Sequence, residues 1–373
     1  MSRLVVGPFN RVEGDLEVRL DIRAGKVASA EVVSPLYRGF EEMLRGKDPR
    51  DALVIAPRIC GICSVSQSVA AAAALAEAQG LAPAPNGRLA ANLVHAAENI
   101  ADHLTHFYMF FMPDFTRPIY AGREWFGDIS ARFAAMRGTA VQDVLPARAQ
   151  FLHLVGLMAG KWPHTMAIQP GGMTRVVTAS EIRHLRAILA AFRRFLETHV
   201  FGGSPESFAA LASRGDLEAW AGAPGGGDLR RFLVVSRDLG LAHLGPACAR
   251  FMSFGAYPGA QGHFFARGLW EEGGAGCLNT GLISEDITSA WLQGEGARHP
   301  FEGETKPDGE MRAGYTWCKA PRLEGRIVEV GALARQVVAG HPLARDLLAG
   351  GRENGGRGNV EARIVARFIE IAR

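Results

Sequence analysis

Arg58-Ile59-Cys60-Gly61-Ile62-Cys63 runs straight into Ser64-Val65-Ser66-Gln67-Ser68, a Cys-x-x-Cys pair at the mouth of an alanine-rich segment. The composition from Ser64 to Gln79 is strongly helical, and Gly80 is a suitable C-cap. Thiols on a tight turn before a helix admit several chemistries. A structural zinc site asks for four ligands, and no second Cys-x-x-Cys or histidine pair follows at a suitable spacing. A redox dithiol would gain from the helix N-terminus, which lowers thiol pKa, but the surrounding strand–CxxC–helix unit of a small thioredoxin fold is missing. A soft-metal thiolate site completed by ligands elsewhere suits a metal that favours sulfur, such as nickel or iron. Two merely buried thiols are the remaining reading.

Upstream of this pair the first 35 residues have a hairpin pattern. Leu4–Val6 and Leu16–Ile22 are strand-like, Ala24-Gly25-Lys26 supplies the turn, and Val27–Val33 alternates back. A loop with Pro35 and Gly39 leads to a short acidic helix from about Glu41. Downstream, Arg88 to Phe111 is a long helix in which Leu93, Ile100, Leu104 and Phe107 recur at helical spacing, the pattern of a mostly buried element. Val144 to Met158 reads as another helix. Thr178-Ala179-Ser180-Glu181 is a capping box opening a helix to about His199. A loop-rich region with short strand candidates follows from Gly222 to Leu282. Trp317 to Gly331 reads as strand, turn and strand, after which helices resume. The fold class is therefore α+β: a mostly helical body with a small N-terminal β-hairpin and a later small β element. Gly222–Gly227 has linker composition but is expected to be a surface loop, so residues 1–373 read as one domain.

Composition excludes several function classes. A net charge of +3, with 41 basic residues dispersed among 38 acidic ones, argues against nucleic acid as a partner. The longest apolar stretch, around Val69 to Ala76, is far short of the roughly 20 residues of a membrane span. No basic n-region precedes an apolar h-region, so the chain reads as soluble and cytoplasmic. Five cysteines, an odd number, do not form a secreted disulfide framework. Cys248, Cys277 and Cys318 are assigned to structure, as small buried hydrophobes.

Seven motifs in a fixed order resemble those of nickel–iron hydrogenase large subunits. RICGIC at Arg58–Cys63 is similar to the family's first cysteine motif. Asn10-Arg11-Val12-Glu13-Gly14-Asp15 resembles its RIEGH-type motif, and Arg38-Gly39-Phe40-Glu41 its RGxE. HLTHFYMFFMPD, His103 to Asp114, resembles the helix ending in an active-site aspartate. Gly160-Lys161-Trp162-Pro163-His164 with Gly171-Gly172 is similar to a further signature. His299-Pro300 and Gly303-Glu304-Thr305 precede Tyr315-Thr316-Trp317-Cys318-Lys319-Ala320-Pro321-Arg322, which resembles YSWxKAPR. Val328-Glu329-Val330-Gly331 with Leu333-Ala334-Arg335 resembles EVGPLAR, Ala332 replacing its proline.

The resemblance implies a nickel held by four thiolates, two of them bridging to an iron that carries carbon monoxide and cyanide. Cys60 is then a terminal nickel ligand and Cys63 a bridge. Arg322 places a guanidinium over the open site, Asp114 orients it, and Glu13 is the first proton relay. Glu41 is a ligand of a second, hard cation, magnesium. His103 and His106 are the histidines expected to line the proton or cofactor neighbourhood. The chain carries no ferredoxin-type cysteine run, so electrons must leave through an iron–sulfur small subunit. Maturation proteins are the other partners implied.

Three positions resemble the regulatory, hydrogen-sensing branch. Gln67 stands where the family usually has a histidine. Ile62 replaces a common valine and Phe110 a common leucine, and this bulky pair is expected to narrow the gas channel. Sensing implies an indirect link to a histidine kinase. The family's second CxxC is not found, since no cysteine follows Cys318, and the amphipathic pattern from Asn359 to Arg373 stops without a cap. The expectation is a C-terminally truncated subunit, inactive alone. The alternative is a large-subunit-like assembly scaffold that carries the iron–cyanide–carbonyl unit.

Overall fold

A computed structural model describes residues 2–7, 14–310, 314–349 and 355–373. The chain resolves into two compact units, each built from two separated stretches: residues 1–55 with 279–328, and 56–278 with 329–373. Interleaving of this kind leaves no linker for composition to reveal.

The first unit opens on an antiparallel sheet of β1 (Ser2–Val6), β2 (Glu17–Arg23) and β3 (Lys26–Val33), in that order. Ala24 and Gly25 join β2 to β3 with φ of 50° and 73°. Positive φ at both central residues matches the right-handed strand twist in a two-residue turn. The short acidic helix α1 (Phe40–Leu44) follows Gly39, whose φ of 66° lets the chain enter the helix sharply. A second sheet places Ile283–Asp286 between Ala297–Arg298 and Ala320–Leu323. Thr316 Oγ1 accepts the Ser34 and Cys318 amides, and Trp317 N–H donates to Ser34 O at 3.0 Å, so the end of β3 is tied to this later segment.

The second unit is helical around one apolar core. Its helices include α2 (Ser64–Ala78), α3 (Pro85–Thr105), α4 (Ala140–Ala159), α5 (Ala179–Phe195) and α6 (Val360–Ala372). Helix α6 is apolar on most of its circumference, with Ile364, Val365, Phe368 and Ile369 essentially inaccessible, as expected of a central helix. Phe107 meets Phe368 edge-on at 4.8 Å and also packs against Phe133 and Phe232. The capping box at Thr178 forms as the sequence indicates, Thr178 and Glu181 each satisfying the other's backbone amide.

Several expectations need correction. The region after Gly222 is more regular than its glycines suggest. Asp228–Leu239 is a helix, and β4 (Arg250–Gly259) pairs with β5 (Gly262–Glu271) as a long hairpin. Leu229, Phe232, Leu233 and Ser236 are buried at helical spacing, a signal present in the sequence but overshadowed by the neighbouring glycines. Between Trp317 and Gly331 there is one strand, Ala320–Leu323, because the chain turns back only as an isolated bridge from Leu323 to Arg326. The long helix is not buried all round: α3 exposes Leu89 and Leu93, which line an apolar groove of about 970 Å³ with Ile100 and Phe264. It also changes character at Thr105, continuing as a π-helical turn over His106–Phe111 and a 3₁₀ segment over Met112–Thr116. Cys277 and Cys318 are exposed, not buried; Cys248 is half-buried with its thiol donating to Arg250 O at 3.3 Å.

Candidate metal centre

Cys60 and Cys63 lie on the loop between the short 3₁₀ turn Ala56–Ile59 and α2, and both are half-buried. Cys63 occupies the N-cap position of α2, yet its side chain makes no cap hydrogen bond. It is engaged instead by two neighbours in its own plane of chemistry. Burial and a hydrogen bond with Cys60 push its thiol up to about 12, and Gln67, one helical turn on, donates its amide to Cys63 Sγ at 3.7 Å. Two hydrogen-bonded sulfurs on one turn form a pair of soft donors that a thiophilic cation would bind by displacing their protons.

The cap that Cys63 does not provide comes from α3. Glu98, 1% exposed, accepts hydrogen bonds from Val65 N at 2.8 Å and Ser66 N at 2.9 Å, the donors left open at a helix start. Trp162 Nε1 (2.9 Å), Ser64 Oγ and Ser66 Oγ complete its environment. Burial raises the Glu98 pKa and these donors partly offset the rise. On the other side of the loop, His164 N–H donates to Ser64 Oγ at 3.1 Å, while His164 Nδ1 lies 3.0 Å from Pro57 O. The His164 ring stands 3.9 Å from where a Cβ on Gly61 would be, so the middle of the Cys-x-x-Cys turn is covered by an imidazole. Glu98 escaped sequence reasoning because nothing in a mid-helix glutamate signals a contact with a segment 33 residues away.

Other site candidates are dispersed between the two units. Ile62 is half-buried between the cysteines, and Phe110 is half-buried in the π-helical turn, where irregular helix geometry often marks functional positions. Asp114 is half-buried in the following 3₁₀ segment. His103 is committed to structure: its Nε2 is 2.7 Å from Glu370 Oε2, and Arg335 grips the same carboxylate through two bonds of 2.7 Å. Burial opposes ionisation of Glu370, but the His103 and Arg335 contacts outweigh it and hold the carboxyl at about 2. His106 is half-buried and pushed down to about 3 by burial first and the Arg367 charge second.

In the first unit, Arg322 is half-buried on its strand, opposite Ser284, and donates to Pro321 O at 2.8 Å. Glu41 is exposed on α1, with Lys319 Nζ 3.2 Å from its carboxylate and 3.1 Å from that of Glu285. The cation at Glu41 is thus an ammonium supplied by the YTWCKAPR segment itself. Glu13 lies outside the described residues.

The donor set fits two positions of a nickel–thiolate site: soft sulfur, paired, half-buried and braced. Among the described residues no group of three or more histidine, cysteine, aspartate or glutamate side chains gathers, so neither the thiol pair nor Glu41 closes a coordination sphere from these residues alone. Among the described residues, too, no helix is long and apolar enough to cross a membrane.

The sequence matches the family described as "Nickel-dependent hydrogenase" over residues 38–123 and 235–347, more than half of its length, and the chain belongs to that family. It is similar to the periplasmic [NiFeSe] hydrogenase large subunit of Desulfomicrobium baculatum, 26% identical over 90% of this chain and 64% of that protein. It is also similar to the hydrogenase-1 large chain of Escherichia coli K12, 26% identical over 91% of this chain and 68% of that one. Among solved structures, the Ni-Fe-Se hydrogenase of D. vulgaris Hildenborough in the reduced state superposes with a TM-score of 0.79 at 26% identity, over the whole of this chain and 76% of the other. The chain therefore has the hydrogenase large-subunit fold and spans about two thirds of the length of these curated relatives.

Proposed function

We propose that this chain is the greater part of a hydrogen-sensing [NiFe] hydrogenase large subunit, acting as one domain with an iron–sulfur small subunit as electron partner. The observation that carries the reading is the braced pair Cys60–Cys63, with Gln67 bonded to the Cys63 sulfur. In this reading Cys60 would be a terminal nickel ligand and Cys63 a ligand shared with an iron that would carry carbon monoxide and cyanide. Such a bimetallic group, when bound there, would supply Lewis acidity for heterolytic cleavage of dihydrogen. The protein's own task is to hold the thiolates and manage the proton and the gas. By the family resemblance, Arg322 would offer a cationic fork to that centre, Asp114 would orient it, and Glu13 would take up the released proton. Glu41 binds magnesium in place of, or beside, the Lys319 ammonium.

Support for the sensing branch is the trio Gln67, Ile62 and Phe110. An amide at Gln67 donates to sulfur without titrating, unlike the imidazole usual at that position. Ile62 and Phe110 carry more side-chain bulk than valine and leucine, which would narrow an apolar gas path and discriminate against the larger oxygen. Signalling then passes through the small subunit to a histidine kinase, and maturation proteins load the metals. A large-subunit-like scaffold that carries only the iron unit is favoured by one observation, the presence of two rather than more donors in the described cluster.

The deciding experiment is metal analysis with infrared spectroscopy on the natural protein purified without oxygen. Stoichiometric nickel and iron with carbonyl and cyanide bands, all lost in Cys63→Ser, are expected. Iron bands without nickel would establish the scaffold instead, and retention of both metals in Cys63→Ser would overturn the ligand assignment.

A further inference from the structure

We propose that Glu98 is the positioning residue of the thiol pair: a cap delivered from another helix, which frees Cys63 from capping its own helix and fixes where its sulfur stands. The proposal rests on the thiolate reading above. An N-cap side chain ordinarily accepts the amide hydrogens of the second and third helical residues. Cys63 is the N-cap of α2, a thiol is a poor acceptor, and no such bond forms. Val65 and Ser66, the residues at those two places, donate to Glu98 Oε1 and Oε2 respectively. Each carboxylate oxygen thus takes one of the two open donors, the geometry of a bidentate cap, and the negative charge sits at the positive end of the helix.

The same carboxylate reaches beyond the helix. Trp162 donates to it, and Ser64 Oγ links it to the His164 amide, with His164 in turn against Pro57 O and over Gly61. The Cys-x-x-Cys turn is therefore bracketed: its downstream end is pinned by Glu98, and its upstream end and middle by His164. Glu98 and His164 set the separation and direction of Cys60 and Cys63 through the backbone, as outer-shell partners do in metal sites. A buried carboxylate carries a desolvation cost, and an uncharged cap would avoid it. The five donors to Glu98 offset part of that cost and tie the carboxylate to both the helix start and Trp162.

The probe is nickel(II) alone, added without oxygen to the reduced, metal-free chain. Readouts are sulfur-to-nickel charge-transfer absorption and nickel affinity by equilibrium dialysis, with far-UV circular dichroism to confirm folding. The wild-type chain should show the band, and Cys63→Ser should lose it. Glu98→Gln keeps the shape but turns one acceptor oxygen into a donor facing another donor. It should shift the band and weaken nickel binding by about tenfold or more while remaining helical. Ser64→Ala leaves the two backbone donors to Glu98 intact and removes the hydroxyl that joins Glu98 to the His164 amide; it should shift the band by less, and it serves if Glu98→Gln does not fold. Wild-type band and affinity in a folded Glu98→Gln chain, or in Ser64→Ala where the former fails to fold, would overturn the positioning role and leave the thiolate reading standing. A wild-type chain with no charge-transfer band, or a band that survives Cys63→Ser, would overturn the thiolate reading and this proposal with it.

Discussion

Replacing His106 with phenylalanine should make the protein less sensitive to acid. His106 sits in the π-helical turn, stacked on Phe111 at 5.9 Å, and its buried Nδ1 has no hydrogen-bond partner among the described residues. Burial, with the Arg367 and His103 charges behind it, lowers its pKa from 6.5 to about 3. The unfolded chain therefore takes up this proton first as pH falls. Stability from this group is fully present above the unfolded pKa of 6.5 and is lost progressively as pH falls towards about 3. Well inside that window each pH unit costs about 1.4 kcal/mol, so acidification from pH ~6.5 to ~4.5 removes about 2 kcal/mol through His106 alone. His95, lowered to about 4 by burial, adds a second slope of the same sign. Phenylalanine keeps the ring stack and removes the titration. Urea unfolding across this pH range should show His106→Phe falling less steeply than wild type, by about 1.4 kcal/mol per pH unit, with equal or greater stability at pH ~7. Parallel slopes for the two proteins would show that His106 is not held neutral by the fold.

Three further outcomes follow from the structure. Glu370→Gln takes the charge from a buried carboxylate gripped by His103 and Arg335, and should lower the unfolding free energy by about 3–5 kcal/mol in denaturant titration. Gly172→Ala places a Cβ 2.8 Å from Gly87 Cα at a φ of 136°; it should cost about 2–4 kcal/mol and lower the thermal midpoint, whereas Gly171→Ala meets no neighbouring atom within 4 Å and carries only the cost of its own φ of 90°. On the proposed hydrogenase reading, Ile62→Val with Phe110→Leu in the full-length protein should speed inactivation by oxygen, measured as the half-time of hydrogen-dependent dye reduction in air; an unchanged half-time would refute the proposed gas-path role of these residues.

The sequence alone determined the elements whose signals are local. The N-terminal strands, helix α2 behind Cys63 and the capping box at Thr178 each depend on neighbours a few residues away, so pattern and propensity sufficed. The ordered motifs determined the family for the same reason: a Cys-x-x-Cys turn is readable wherever it occurs. Tertiary structure decided the rest. Burial of Asp228–Leu239 fixed it as a helix, and its periodic Leu229, Phe232 and Leu233 outweighed the glycines beside them. The fate of lone cysteines was also tertiary, since Cys277 and Cys318 are exposed where an isolated thiol is usually packed away. The bracing of the site was least legible of all. Glu98 and His164 act on the cysteine loop through hydrogen bonds spanning some 30 to 100 positions, and such contacts exist only once helices α2 and α3 have packed. A sequence specifies which donors a site can use, but their spacing is set by the backbone that long-range burial holds in place.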